Sequence, residues 1–156
     1  MCRICLGIDP GLARVGYGAV LKAGFELTAL NYGCITTSPA MSFTERLLKI
    51  YTSLQEQILI NSPDFISVER LFFGRNTTTA EYVYQARGVI MLLAAQNNLP
   101  VIEPAPNHIK LFLCGNGRAD KSTIQHKIRD MLFLNEIPKP DDTADALAAA
   151  VAGFAL

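Results

Sequence analysis

The sequence predicts an α/β fold in which a mixed, five-stranded sheet is flanked by helices. The first third of the chain alternates β-rich stretches with short glycine-bearing turns, which favours an antiparallel meander of three strands. A helical segment then leads to a fourth apolar strand, and a connection through a helix lets that strand lie parallel to the first. An alanine-rich segment at the end of the chain predicts a final helix.

The elements follow from local patterns. Residues 3–9, 15–20 and 25–37 are predicted as the meander, and Ser42 with Glu45 has the spacing of a capping box that begins a helix over 43–60. The remaining predictions are a strand ending at Glu69, a helix from about Thr78 to Asn97, a short strand at 99–103, helices over 105–113 and 120–133, and a helix from about Asp142. No repeat or low-complexity linker is present, so residues 1–156 are predicted to form a single domain.

Composition narrows the class of protein. Half of the residues are hydrophobic and 18% are charged, which argues against disorder. The N-terminus lacks the pattern of a signal peptide, and the apolar run 89–95 is too short to span a bilayer, so we expect a cytoplasmic protein without membrane contact. Cys2 and Cys5 would point to opposite faces of a strand, and Cys34 and Cys114 stand alone, which favours four buried thiols over a metal site or disulfides.

Charge is segregated along a chain whose net charge is zero. Residues 70–129 hold eight basic and three acidic side chains, whereas the rest of the chain holds six basic and eleven acidic ones. A basic surface beside an acidic pocket suits a protein that handles phosphodiesters, because cations contact the backbone and carboxylates bind metal. Ordinary surface charge is the alternative interpretation.

Four carboxylates lie where the predicted fold could bring them together. Asp9 and Glu69 each end an apolar strand, and Asp142 and Asp145 are three apart at the beginning of the final helix. The carboxyl ends of parallel neighbouring strands share one sheet edge, and the first turn of that helix could lie against it. An oxygen-only set of ligands suits Mg²⁺ or Mn²⁺. Each acid also has a plain structural alternative: an Asx turn at Asp9, an N-cap at Asp141 or Asp142, or a surface ion pair of Glu69 with Arg70 or Arg75.

The motifs together resemble the RuvC family of bacterial Holliday junction resolvases. The matching segments, in order, are Gly7-Ile8-Asp9-Pro10-Gly11, Val68-Glu69, Gln85-Ala86-Arg87-Gly88-Val89, Lys121-Ser122 and Asp142-Thr143-Ala144-Asp145-Ala146-Leu147-Ala148. The resemblance covers nearly the whole chain. It implies an RNase H-like fold and a structure-selective endodeoxyribonuclease that resolves four-way DNA junctions by paired, symmetric, metal-dependent nicks in recombination and repair.

The resemblance also implies roles for individual residues. Asp9, Glu69, Asp142 and Asp145 would be catalytic carboxylates that bind two Mg²⁺ per active site, with Mn²⁺ able to substitute, and Lys121 would stabilise charge at the scissile phosphate. Asp141 would cap the last helix. The residues expected to contact DNA are Phe72, Phe73, Arg75, Asn76, Lys110 and Arg118.

The implied partners are four-way junction DNA, a second copy of the chain and a branch-migration helicase complex. The helix near 78–97 is apolar nearly all round over 82–95, which independently fits a homodimer in which one side of the helix meets the sheet. Three alternatives stay open: an RNase H-like nuclease acting on RNA or RNA–DNA hybrids, an actin-like nucleotide-binding domain, and a junction-binding module without catalysis.

Overall fold

The computed structural model describes residues 2–71 and 77–156, with the side chains of residues 77–79 left out. Its ten elements follow the predicted order: β1 Cys2–Asp9, β2 Arg14–Ala23, β3 Glu26–Thr36, α1 Phe43–Asn61, β4 Phe65–Val68, α2 Thr77–Gln96, β5 Val101–Ile102, α3 Pro106–Cys114, α4 Lys121–Met131 and α5 Asp141–Gly153. No helix within these residues is long and apolar enough to cross a membrane.

The five strands form one mixed sheet in the order β3-β2-β1-β4-β5. β1, β2 and β3 pair antiparallel, as the short turns between them predict. β4 lies parallel to β1, with Cys5 opposite Phe65 and Gly7 opposite Ser67, and β5 lies parallel to β4. The predicted mixed sheet of five strands, with β1 and β4 as parallel neighbours, is therefore confirmed.

Helices cover both faces of the sheet, and the alternation of side chains along β1 divides the core in two. Cys5 packs into a cluster with α3, α4 and α5, whereas Leu6 and Ile8 pack into a second cluster with α1 and α2. β4 alternates in the same way, since Phe65 belongs to the first cluster and Ile66 to the second. The odd-numbered positions of both strands thus face α5.

α5 lies in backbone contact with the central strands. A β-carbon at Gly7 would overlap the carbonyl oxygen of Ala146 and lie 2.7 Å from the Ala150 Cβ, and one at Gly16 would overlap the carbonyl oxygen of Asp142. Glycine is needed at these two positions because the helix passes too close for any side chain. This close approach sets the position of the first turn of α5 over β1 and β2.

The helix boundaries agree with the predictions to within a few residues. Both halves of the capping box at Ser42 and Glu45 form, and α1 ends at Ser62, whose backbone is left-handed. The α2 positions Ala86, Ile90, Leu93 and Ala94 are buried. Leu92, on the other side, is 56% exposed, whereas Tyr82, one turn before Ala86, is 45% exposed and packs its ring against Phe43. One side of the helix therefore meets the sheet core, as predicted, and the helix also carries exposed apolar groups.

Two expectations from the sequence are wrong. Asp141 does not cap α5: the N-cap residue is Pro140, which makes no side-chain cap, and the Asp141 carboxylate contacts Lys121 and Gln125 instead. Among the cysteines, all of which are free, Cys5 is buried as expected. Cys2 is exposed because the beginning of β1 is open to solvent, and Cys34 and Cys114 are only partly buried.

Candidate active site

Strand geometry places Asp9 and Glu69 side by side. Asp9 is the last residue of β1, and Glu69 directly follows β4. In the parallel register, Gly7 lies opposite Ser67 and Ile8 opposite Val68, so the next pair along the strands is Asp9 and Glu69. Both occupy odd-numbered positions and therefore point to the face that α5 covers.

α5 adds two more carboxylates to this edge. Its first turn lies directly over β2, since the main chain of Asp142 contacts Gly16, and Gly16 is the β2 partner of Asp9. Asp145 follows one turn later on the same face of the helix. Asp145, Asp142 and Glu69 each act electrostatically on Asp9, so the fold brings the four acids to one edge of the sheet.

Burial and the closeness of these acids raise the pKa values of three of them. Burial, and after it the charges of Asp145, Asp142 and Glu69, raise the pKa of Asp9 to about 7, while Lys121 opposes them. Burial followed by the charge of Asp145 likewise raises the pKa of Glu69, with Lys110 and Lys121 opposing. Burial also raises the pKa of Asp145 despite its bond to Lys121. Negative charge at the site exceeds what the nearby lysines neutralise.

Arg14, the first residue of β2, contacts Asp142 from the rim. Its Nε lies 3.0 Å from Asp142 Oδ2, and the side chains are 56% and 21% exposed, respectively. The same buried oxygen has no hydrogen bond of acceptable geometry. The contact is an ion pair whose angles do not suit a hydrogen bond. It neutralises charge but leaves the lone pairs of Oδ2 available to another ligand.

Lys121 reaches the site from α4. Its Nζ lies 3.0 Å from Asp145 Oδ2 and 3.3 Å from Asp141 Oδ2. Partial burial opposes its charge, but the bonds to Asp145 and Asp141 together raise the pKa of Lys121 above its usual value. Lys121 is therefore a cation at the site, and it begins α4 after the glycine turn, as predicted.

A cleft of about 210 Å³ opens beside these groups. Its lining includes Glu69, Asp145, Lys110 and Lys121. Lys110, predicted as a DNA contact, therefore lies within the candidate site. Arg118 instead lines a neighbouring groove with Asn107 and Asn116. The other predicted DNA contacts, namely Phe72, Phe73, Arg75 and Asn76, lie outside the described residues.

The donor set fits a hard divalent cation, although the side chains are not gathered as ligands. Within residues 2–71 and 77–156, no three His, Cys, Asp or Glu side chains have an arrangement that could hold one ion. Instead, Asp142 contacts Arg14 and Asp145 contacts Lys121. The unbonded, buried oxygen of Asp142 and the raised pKa of Asp9 mark a site with unbalanced negative charge, which a cation would relieve.

Two of the plain alternatives are excluded: Asp142 is not the N-cap of α5, and Glu69 forms no ion pair with Arg70. The alternative pairing of Glu69 with Arg75 lies outside the described residues. Two participants were not anticipated, namely Arg14 and Gln125, whose amide binds Asp141. A signal for Arg14 does exist: it is a cation immediately after the turn that follows Asp9. No sequence pattern points to Gln125, because only the packing of α4 on α5 brings its side chain to Asp141.

Comparison with known proteins identifies the family. The family model described as crossover junction endodeoxyribonuclease RuvC matches residues 5–153. The RuvC proteins of Desulfitobacterium hafniense (strain DSM 10664 / DCB-2) and Caldicellulosiruptor saccharolyticus are 51% and 48% identical to this chain. These matches cover 95% and 94% of the chain, and 90% and 89% of the two relatives.

A solved structure agrees over almost the same length. It is T. thermophilus RuvC in complex with a Holliday junction substrate, with 32% sequence identity and a TM-score of 0.91. The match covers 96% of this chain and 92% of that one. The RNase H-like fold implied by the sequence motifs is thus confirmed, and the chain belongs to the RuvC family.

Proposed function

We propose that this protein is a crossover junction endodeoxyribonuclease that resolves four-way DNA junctions by paired, symmetric nicks in recombination and repair. The observation that carries the proposal is the convergence of Asp9, Glu69, Asp142 and Asp145 at one sheet edge, beside a cleft whose wall includes Lys121. Membership of the RuvC family supports the choice of substrate, because a structural relative is described with a Holliday junction.

We propose that Asp9, Glu69, Asp142 and Asp145 hold two Mg²⁺ per active site, with Mn²⁺ able to substitute. All of their donor atoms are carboxylate oxygens, the ligand type that these ions prefer. Bound there, the metal would lower the pKa of an attacking water and stabilise charge on the phosphate and the leaving oxygen. The protein contributes a buried pocket of net negative charge, in which a bound cation would allow all four acids to be ionised.

Two lysines supply positive charge to the cleft. Lys121 places its ammonium group 3.0 Å from Asp145, and Lys110 lines the same cleft. We propose that Lys121 stabilises charge that develops on the scissile phosphate and that Lys110 contacts a neighbouring phosphate. Arg118, in the adjacent groove, fits a more distant phosphate contact. Contacts of DNA with Phe72, Phe73, Arg75 and Asn76 stay a prediction.

A homodimer suits the proposed substrate. A four-way junction has near-twofold symmetry, so two copies of one active site can nick opposed strands at matching positions. The exposed apolar side chains of α2, including Tyr82 and Leu92, are suited to an interface between two copies. We further propose that the dimer works with a branch-migration helicase complex, in the cytoplasm, where bacterial chromosomal DNA lies.

The decisive experiment is a nicking assay on a synthetic four-way junction, with linear duplex and RNA–DNA hybrid alongside, in Mg²⁺ or in EDTA. Asp9→Asn is the test variant, and it should fold because the site already favours an uncharged group at this position. Asp130→Asn is the matched control, since Asp130 is an exposed acid paired with its neighbour Arg129.

We expect paired, Mg²⁺-dependent nicks in the junction alone, lost in Asp9→Asn while junction binding persists. Asp130→Asn should cut like wild type. Cleavage of the hybrid in preference to the junction would instead assign the chain to RNA-directed nucleases. Junction binding without cleavage in any metal would refute catalysis and leave a recognition module.

A further inference from the structure

Lys121 occupies an unfavourable position for a cation. It is the first residue of α4, where the helix dipole presents partial positive charge. The N-cap residue Asp120 offsets part of the dipole, and its carboxylate accepts from the backbone N–H of Thr123 at 2.7 Å. Among the described residues, the ion-pair partners of Lys121 itself lie on α5, namely Asp141 and Asp145.

The two acids differ in what else they do. Asp145 is 27% exposed and lines the cleft, and it is one of the four proposed metal ligands. Asp141 is 61% exposed and lies at the rim. Its Oδ2 faces the Lys121 ammonium, and its Oδ1 accepts a hydrogen bond of 3.1 Å from Gln125 Nε2.

Asp141 is thus shared between two side chains of one helix. Lys121 and Gln125 are four residues apart, so they lie on the same face of α4 and reach the same carboxylate on α5. An exposed ion pair alone contributes little, because two free side chains must be ordered. Here the amide of Gln125 already orients the carboxylate, so the remaining oxygen is directed at Lys121 before substrate binds.

We propose that Asp141, oriented by Gln125, is a positioning residue that holds Lys121 over the cleft while Asp145 binds metal. The inference rests on the proposed function, because it assumes that metal and lysine both use Asp145. With Asp141 present, the lysine keeps an anionic partner when metal takes Asp145. Without Asp141, lysine and metal compete for Asp145, which weakens metal binding and leaves the ammonium group poorly placed.

The test combines Mn²⁺ titration of the DNA-free protein by calorimetry with single-turnover nicking of a four-way junction. The variants are Asp141→Asn, Asp141→Glu, Lys121→Met and the double variant, with Asp130→Asn as control. We expect Asp141→Asn to weaken Mn²⁺ binding several-fold and to slow nicking at saturating metal about tenfold, with junction affinity within twofold of wild type. Asp141→Glu should restore most of both losses.

The double variant separates positioning from a simple loss of negative charge. If Asp141 acts through Lys121, adding Asp141→Asn to Lys121→Met changes neither Mn²⁺ affinity nor nicking rate further. The same decrease in both backgrounds would overturn the inference, as would an Asp141→Asn protein indistinguishable from Asp130→Asn. A wild-type protein that does not nick junctions would refute the proposed function, while the Mn²⁺ titrations would still decide whether Asp141 and Lys121 are coupled.

Discussion

The contact of α5 with β1 at Gly7 makes a sharp prediction for Gly7→Ala. The new methyl group would meet the Ala150 backbone nitrogen at 2.6 Å and the Ala150 Cβ at 2.7 Å, besides overlapping the Ala146 carbonyl oxygen. Carbon atoms in contact prefer about 3.5–4.0 Å, so helix and strand must separate by roughly 1 Å. No rotation of a side chain relieves the overlap, because the atoms that the methyl group meets are backbone atoms and the Cβ of Ala150.

The expected cost is at the upper end of overpacking effects, about 3 kcal/mol. For a protein of this size each kcal/mol lowers Tm by about 2–4 °C, so Tm should fall by about 6–12 °C. The separation also moves Asp142 and Asp145 relative to Asp9, because α5 carries both. A misplacement of about 1 Å can cost a factor of about 10² in rate, so junction nicking should fall by roughly that factor.

Thermal and urea unfolding monitored by circular dichroism measure the first effect, and single-turnover nicking of a four-way junction measures the second. Gly117→Ala is the matched control, because its β-carbon would lie 3.7 Å from the nearest atom, an ordinary contact, and its backbone is not left-handed. The control should unfold at or slightly above the wild-type temperature. A Gly7→Ala protein within about 0.5 kcal/mol of wild type and fully active would refute the close helix–strand contact.

Three further predictions test the site and its support. Ser67→Ala removes the buried bond from Ser67 Oγ to the Ala149 carbonyl and should cost about 1 kcal/mol in urea unfolding; an unchanged midpoint would show that the bond is not stabilising. Arg14→Gln should tighten Mn²⁺ binding to the DNA-free protein by up to about fivefold in calorimetry, since an exposed ion pair with Asp142 is worth at most about 1 kcal/mol. Weaker binding would contradict the idea that Arg14 and metal compete for Asp142. In EDTA, stability should fall as pH rises towards about 7 and then level off, because the raised pKa of Asp9 favours the folded state only while this carboxyl is protonated. Thermal melts of Asp9→Asn should show a flatter dependence of stability on pH. An equal slope in both proteins would exclude Asp9 as its source.

Local patterns were sufficient for most of the fold. Capping residues and apolar periodicity placed α1, and the apolar runs that end at Asp9 and Glu69 placed β1 and β4. The parallel pairing of β1 with β4 followed from the intervening helix. Asp141 was misassigned because an acid in the first turn and an acid at the N-cap look alike in sequence, and only the backbone at Pro140 distinguishes them.

The sequence by itself determined the four acids and the strand ends that carry two of them, because strand periodicity and connection length are local properties. Only the tertiary structure decided how tightly α5 lies on Gly7 and Gly16. It alone also decided that Arg14 contacts Asp142 and that Lys121 contacts Asp145. Such contacts depend on distances of a few tenths of an ångström between segments far apart in the chain. No local pattern encodes those distances, since they result from the packing of the whole core.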